Sequence, residues 1–460
     1  MKRLLKLLLN IKLTVIESIN IQGGPDPWSM SLVLNVRPTK GQAHRCPKCG
    51  KRMPYYDEGR GTRDWRALDM GAIRVYLRAR APRVECAEHG VIVAQVPWAR
   101  HDAWFTHDFE QWVAWVSLHT NRSVVAELCR IDWETVGHVV KRVEDDERGK
   151  WPPPFDSLRS IGIDETSYKK GQNYLTIVAG HDTGAVVWAA KGHGRSVLTG
   201  FFELLTAEQR ARIETVTGDG AAWITECVEE FCPGARRLLD AFHIVSWAAE
   251  SLEEVRRRVW NDLRKEEKKV AAKRGRGKPR KGEEPAPSKA RALKYTRFAL
   301  LKNPEDLSRS QQAKIEALAL ENGQLYRGYV LKERLRLLLK MDAGEAEAEL
   351  KGWLSKACRS KIPEFVELSK KIRRHRGRII DTVASGLSNA RVEAINNKIK
   401  VTIKMAYGFR NIDNLIAMIM LRCSNLPFSL PGRPPTQGRF AKARPLPLLP
   451  LLKPPVGAAF

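Results

Sequence analysis

The sequence predicts a multidomain α/β protein: a β-rich zinc-binding module, a helix-turn-helix, and a mixed sheet followed by an all-helical block. Three observations lead there. Cysteine pairs with metal-ligand spacing stand among short β-type runs in the first 100 residues. Beyond the prolines at 152, 153 and 154, β-type and helical segments alternate in the manner of a mixed sheet. From His243 to about Ile380 the pattern is helical and strongly charged.

Size and charge bound the function. A chain of 460 residues exceeds what one core supports. Lys and Arg number 79 against 52 acidic residues, a net charge of +27 that suits a polyphosphate partner and argues against a small-molecule enzyme. A membrane surface is the other polyanion, yet no apolar run reaches the ~20 residues of a spanning helix. The start, MKRLLKLLLNI, has the basic opening and leucines of a signal peptide. Lys6 and Lys12 break it and no small-residue cleavage site follows, so it reads as an ordinary N-terminal element. Eight cysteines without a disulfide pattern fit a reducing cytosol.

Residues 1–100 carry β-type runs such as Ile73 to Leu77 and Val91 to Val96. Cys46-Pro47-Lys48-Cys49 and Cys86-Ala87-Glu88-His89 each place two ligands on one tight turn, and together they make a tetrahedral structural zinc site. His44 is an alternative fourth ligand, and a redox pair is the other reading of Cys46 and Cys49. Residues 104–147 read as helical, within a helix-turn-helix domain over 101–150. Asn121 to Val143 splits into two helices around a turn near Cys129 to Asp132, the spacing of a helix-turn-helix. Val124, Val125, Leu128, Val136, Val139 and Val140 form its expected core. Exposed Arg122, Arg130, Lys141 and Arg142 are expected on DNA phosphates, and Trp133, Glu134 and His138 on base edges. Trp104, Trp112 and Trp115 are expected in the core.

After the proline break, strands are expected over 159–165, 174–179 and 185–190, the last two joined at Asp182-Thr183-Gly184. A helix over 197–205, a strand over 214–217, a helix over 223–231 and a strand over 236–240 complete the series. Residues 244–380 form an all-helical block, interrupted by a Gly-, Pro- and charge-rich loop over 271–290 that is expected to be disordered. The proline-rich tail over 431–460 is expected to be disordered. Asp164 lies near the end of the first strand and Asp219 directly follows the fourth, so both can reach one sheet edge. A helix from about Ser388 aligns Asn389, Glu393, Asn397 and Lys400 as one polar stripe, with Val392, Ile395 and Ile399 opposite. Carboxylates are the ligands a hard cation such as magnesium takes, and two such ions serve in-line phosphoryl displacement. By pattern alone, each aspartate is as well a turn or cap residue.

The ordering resembles the ribonuclease-H-like fold, and specifically the ISL-three family of bacterial insertion-sequence DDE transposases. The residues that carry the likeness are Gly162-Ile163-Asp164-Glu165, Gly194-Arg195-Ser196, Thr217-Gly218-Asp219 and Asp240-Ala241-Phe242-His243. Ser388-Asn389 through Glu393, Asn396 and Lys400, with Tyr407-Gly408-Phe409-Arg410, complete it. The resemblance implies a catalytic domain over 155–243 and 381–425, with the all-helical block over 244–380 as an insertion into it and Asp164, Asp219 and Glu393 holding magnesium or manganese. Asp240 is the rival for second aspartate, set aside because it ends the fifth strand. It further implies a DNA transposase that binds the terminal inverted repeats of its element, cleaves there and transfers strands, assembled on DNA as a homodimer. A non-catalytic DNA-binding regulator on a decayed fold and a structure-specific nuclease are the alternatives.

Overall fold

A computed structural model describes residues 1–26, 28–273, 288–387 and 390–433. The chain divides into two compact units, Met1–Pro152 with Thr402–Phe460, and Pro153–Val401. Among the described residues no helix is long and apolar enough to cross a membrane.

The first unit opens with helix α1 (Lys2–Leu8) and strands β1 (Thr14–Gln22), β2 (Ser31–Pro38), β3 (Tyr55–Asp57), β4 (Thr62–Met70), β5 (Ile73–Arg80), β6 (Arg83–Cys86) and β7 (Gly90–Val93). They form a four-stranded sheet, β1-β2-β5-β4, and a three-stranded one, β3-β6-β7. In β5 the alternate residues Val75, Leu77 and Ala79 are buried, the period-two pattern of a strand with one covered face. Helices α2 (His107–Ser117), α3 (Arg122–Cys129) and α4 (Trp133–Lys150) follow.

The second unit holds β8 (Ser160–Lys169), β9 (Asn173–Gly180), β10 (Ala185–Lys191), α5 (Arg195–Glu203), α6 (Ala207–Ala211), β11 (Thr215–Gly218), α7 (Ala222–Phe231) and β12 (Arg236–Leu239). The sheet order is β10-β9-β8-β11-β12. The first three strands are an antiparallel meander, and β11 runs parallel to both β8 and β12. Phe201, Phe202, Ile161, Ile163 and Val216 fill the core between the sheet and α5 and α7.

The insertion comprises α8 (Ala241–Lys273), α9 (Lys289–Lys294), α10 (Arg297–Leu301), α11 (Arg309–Glu321), α12 (Gly323–Leu338), α13 (Ala343–Cys358), α14 (Pro363–Arg374) and α15 (Arg376–Ser385). Its core gathers Leu252, Leu335, Trp353 and Phe365. Of the loop expected over 271–290, residues 271–273 end α8 and 289–290 begin α9, and 274–287 lie outside the described residues. Most of the expected tail, 434–460, also lies outside them.

Helix α16 (Ala390–Met405) then leads to α17 (Ile412–Cys423). The expected catalytic domain includes 402–425, and here the structure differs. Ala417, Met418, Leu421 and Phe428 share a core with Val113, Val125, Val136 and Val143. The apolar face of α17 completes the helix-turn-helix unit, which short helices alone cannot bury.

Candidate active site and metal centres

Register brings the acidic residues together. Thr217 lies opposite Gly162, and Gly218 opposite Leu239. Carried past the last paired residues, this register aligns Asp219 with Asp164 and Asp240 at the carboxyl ends of β11 and β12; Asp164, expected near the end of the first strand, lies midway along β8, which runs on to Lys169. Opposite residues in parallel strands share a face. Helix α16 closes over this row because Gly162 has no side chain: a Cβ there would lie 2.7 Å from Val392 Cγ2. That close approach delivers Glu393 and Asn396 to the same place.

Asp164 accepts the Glu165 N–H at 2.7 Å and the Asn396 amide, and Asn396 Oδ1 in turn accepts the Thr166 hydroxyl at 3.0 Å. Burial pushes the Asp164 carboxyl above its ordinary range, and the Asp240 charge adds to this. The Glu165 N–H, His243 and the Asn396 amide pull the other way. Glu393 is raised chiefly by burial, then by the charges of Asp240 and Asp164, against His243. Asp240 is buried, accepts the Phe242 N–H at 2.9 Å and stands 3.9 Å from His243 Nε2.

Asp219 is half-buried and accepts the Ala221 N–H at 2.9 Å. Its charge acts on Glu165, Arg237 and Lys371. The buried Arg237 guanidinium donates to the carbonyls of Val216, Gly218, Leu238 and Asp219, bracing the ends of β11 and β12. Glu165 points elsewhere and accepts the Gly194 N–H at 3.2 Å, at the start of α5. The polar stripe of α16 differs from expectation. Asn389 lies outside the described residues, Asn397 and Lys400 are exposed, and Asn396 is the buried amide. A pure 3.6-residue wheel gives no weight to Asn396 because it borders the apolar face.

In the first unit, Cys46, Cys49, Cys86 and His89 bring their ligand atoms within 4.8 Å of one another, the one such set of His, Cys, Asp and Glu among the described residues. Cys49 and Cys86 sulfurs are 3.8 Å apart, and His89 Nδ1 is 3.7 Å from Cys46 Sγ and 3.4 Å from Cys86 Sγ. A tetrahedron built on metal–sulfur bonds of about 2.3 Å has edges of about 3.8 Å, so the set fits zinc. His44 instead packs on Tyr55, with ring centroids 5.8 Å apart.

The helix-turn-helix has a different core and surface from those expected. Val125, Val136, Val139 and Val140 are buried, whereas Val124 and Leu128 are exposed, because only the Val125–Cys129 edge of α3 faces inward. Trp133, Glu134 and His138 are exposed on α4. The basic residues expected to be exposed are half-buried and engaged. Arg122 lies 4.4 Å over the Trp133 ring, and Arg130 holds Asp69 and the Ala72 carbonyl. Arg142 binds the fully buried Glu110 at 2.7 Å, and Lys141 pairs with Glu144 and Asp145. Trp112 and Trp115 pack against the core, but Trp104 is exposed under the Arg63 guanidinium, 4.0 Å from its centroid.

Comparison with known proteins adds three matches that tile the chain. Residues 42–89 match the zinc-finger of transposase IS204/IS1001/IS1096/IS1165, and 94–144 the helix-turn-helix domain of transposase family ISL3. Residues 161–419 match a family described as transposase. The transposase for insertion sequence element IS1557 of Mycobacterium tuberculosis is 44% identical over 434 residues, 94% of this chain and 97% of that protein. The transposase for insertion sequence element IS1001 of Bordetella parapertussis is 26% identical over 391 residues, 84% of this chain and 90% of that protein.

Proposed function

Because the chain belongs to the transposase family ISL3, a metal-dependent DNA transposase with a zinc finger and a DNA-binding helix-turn-helix, we propose that Asp164, Asp219 and Glu393 hold its catalytic ions. The observation that carries this reading is the row of aligned carboxylates with Glu393 brought over it by α16. The donor set fits a hard divalent ion such as magnesium or manganese. It is all oxygen, and burial and mutual repulsion raise Asp164 and Glu393, a strain that a cation relieves. Ions bound there supply Lewis acidity to the phosphodiester and activate the attacking water or 3′-hydroxyl.

The chain's own residues fix the geometry. Asn396 and the Glu165 N–H orient the Asp164 carboxylate, Arg237 braces the backbone of Asp219, and α16 presents Glu393. Cys46, Cys49, Cys86 and His89 hold a structural zinc that fastens the turn at Cys46 to the β6–β7 hairpin. Trp133, Glu134 and His138 on α4 read the terminal inverted repeats of the element, and exposed Lys400 contacts phosphate. Two copies assemble on paired ends, on the bacterial nucleoid.

A second reading puts Asp240 in place of Asp219. It is favoured by the Asp240 charge, which acts on both Asp164 and Glu393. One assay tests both: purified chain carrying one zinc by elemental analysis, magnesium, and a labelled duplex bearing the element end. The wild type nicks and joins. Asp164→Asn, Asp219→Asn and Glu393→Gln each lose more than about a hundredfold in cleavage while retaining end binding. An active Asp219→Asn beside a dead Asp240→Asn establishes the second reading, and a zinc-free wild type overturns the zinc assignment.

A further inference from the structure

Many cations of the insertion are engaged by neighbouring carboxylates. Arg258 holds Glu364 at 2.7 Å, Arg376 holds Glu347 at 2.8 Å and Lys370 holds Glu367 at 2.6 Å. One cluster departs from this pattern. The Lys371 ammonium on α14 lies 3.8 Å from the centroid of the Trp247 ring and makes no ion pair among the described residues. The Trp247 ring lies 5.7 Å from His375. The charges that act on His375, from Arg378, Arg374, Lys371 and Arg237, are all of one sign, and its Nδ1 is buried without a partner among the described residues. Exposed Arg374 extends the cluster outward, and the carboxylate facing Arg378, Glu229, is 4.0 Å away.

This corner adjoins the loop that carries Asp219. Trp247 packs on Gly220, where a Cβ would lie 2.8 Å from its Cζ2, and the charges of Glu250 and, more weakly, Asp219 act on Lys371, though neither pairs with it. Arg237, from the same cluster, donates to the Asp219 carbonyl. Gathering like charges in a half-buried site is unfavourable until an anion joins them. The indole face meanwhile holds the ammonium in place without neutralising it. A phosphodiester supplies the missing charge, and a lysine ammonium serves it as a point-charge donor.

We propose that Lys371 and Arg374, set by Trp247 and His375, form a subsite for a DNA phosphate adjoining the one that reacts at Asp219. The inference rests on the active-site reading above and adds to it the residue that fixes the strand's register. The test is a chemical double-mutant cycle. End duplexes in which single phosphates near the cleaved bond are replaced by neutral methylphosphonate are bound by wild type and variants without divalent metal. In wild type, one position lowers affinity about tenfold or more, the size of a charged hydrogen bond. K371Q binds the all-phosphate duplex weaker by the same factor and loses nothing further at that position, whereas K371R retains the position's effect. K371M, which keeps its stem on Trp247, replaces K371Q if the latter's unfolding midpoint falls. Equal affinity of wild type and the neutral variants, or an undiminished loss at every substituted phosphate in them, overturns the subsite. A wild type that binds with this pattern but never cleaves in magnesium overturns the catalytic reading instead.

Discussion

Asp164 illustrates how one residue comes to hold a charge that the fold does not itself neutralise. Two donors, the Glu165 N–H and the Asn396 amide, orient the carboxylate, yet burial still raises it. Glu393 shares the predicament, with Asp240 and Asp164 as repelling neighbours. A carboxyl raised on folding contributes stability below the ordinary carboxylate range, and that stability is lost as pH rises through its raised value. In metal-free protein, Glu393→Gln therefore leaves stability unchanged at acid pH and increases it at neutral pH. A rise on the order of 2 °C in unfolding midpoint is expected, the response of a domain this size to about half a kcal/mol. Magnesium reverses the order by stabilising wild type more than the variant. Melting curves at several pH values, with and without magnesium, check this. A neutral-pH midpoint that falls in Glu393→Gln would show that the carboxylate is satisfied by the protein alone.

At the scale of the element, α4 separates residues that hold the fold from residues free to meet DNA. Its inward and lateral faces are occupied by Val136, Val139, Val140 and Val143, and by Arg142 on the buried Glu110. Glu134 and His138 are exposed. Arg142→Ala leaves Glu110 buried with Arg100 as its remaining cation, at 3.2 Å, and is expected to cost about 1–3 kcal/mol of stability. Glu134→Ala and His138→Ala should leave the midpoint unchanged. Each should narrow the gap between end and random DNA by roughly 1–3 kcal/mol, the cost of leaving one base pair unread. Thermal melts beside competition titrations at fixed salt separate the two classes. A stable Arg142→Ala that binds every sequence equally weakly would make Arg142 a phosphate ligand after all.

At the scale of the molecule, the chain builds one unit from its two ends. Ala417, Met418 and Leu421 of α17, with Phe428, complete the core that Phe109, Val113, Val139 and Val143 begin. A fragment ending at Pro152 lacks these side chains and exposes their partners, which should deprive it of a cooperative melt. Joining residues 402–433 to that fragment through a flexible linker should restore the melt and the binding of element ends. Equal midpoints for the two fragments would mean that α17 packs there without stabilising the unit.

Periodicity and composition alone are enough to place the meander, β11, α7 and β12 to within a residue or two, except that the first strand runs four residues past its expected end at 165, because strand and helix patterns are local and the proline break is unambiguous. The spacing of Cys46 and Cys49 on a single turn is equally legible, but the sequence leaves His44 and His89 as alternatives for the fourth ligand, and it is His89 whose ring nitrogen lies among the sulfurs. Three matters depend on residues distant in sequence. Asn396 meets Asp164 only because Gly162 admits α16, and Arg142 is engaged only because Glu110 is buried opposite it. Residues 412–423 share a periodic apolar face that fits either unit on paper, and packing against α2 and α4 decides which. A local pattern fixes an element and its apolar face. Which buried charge or face it meets is a matter of the free energy of the whole core, and only the folded chain settles it.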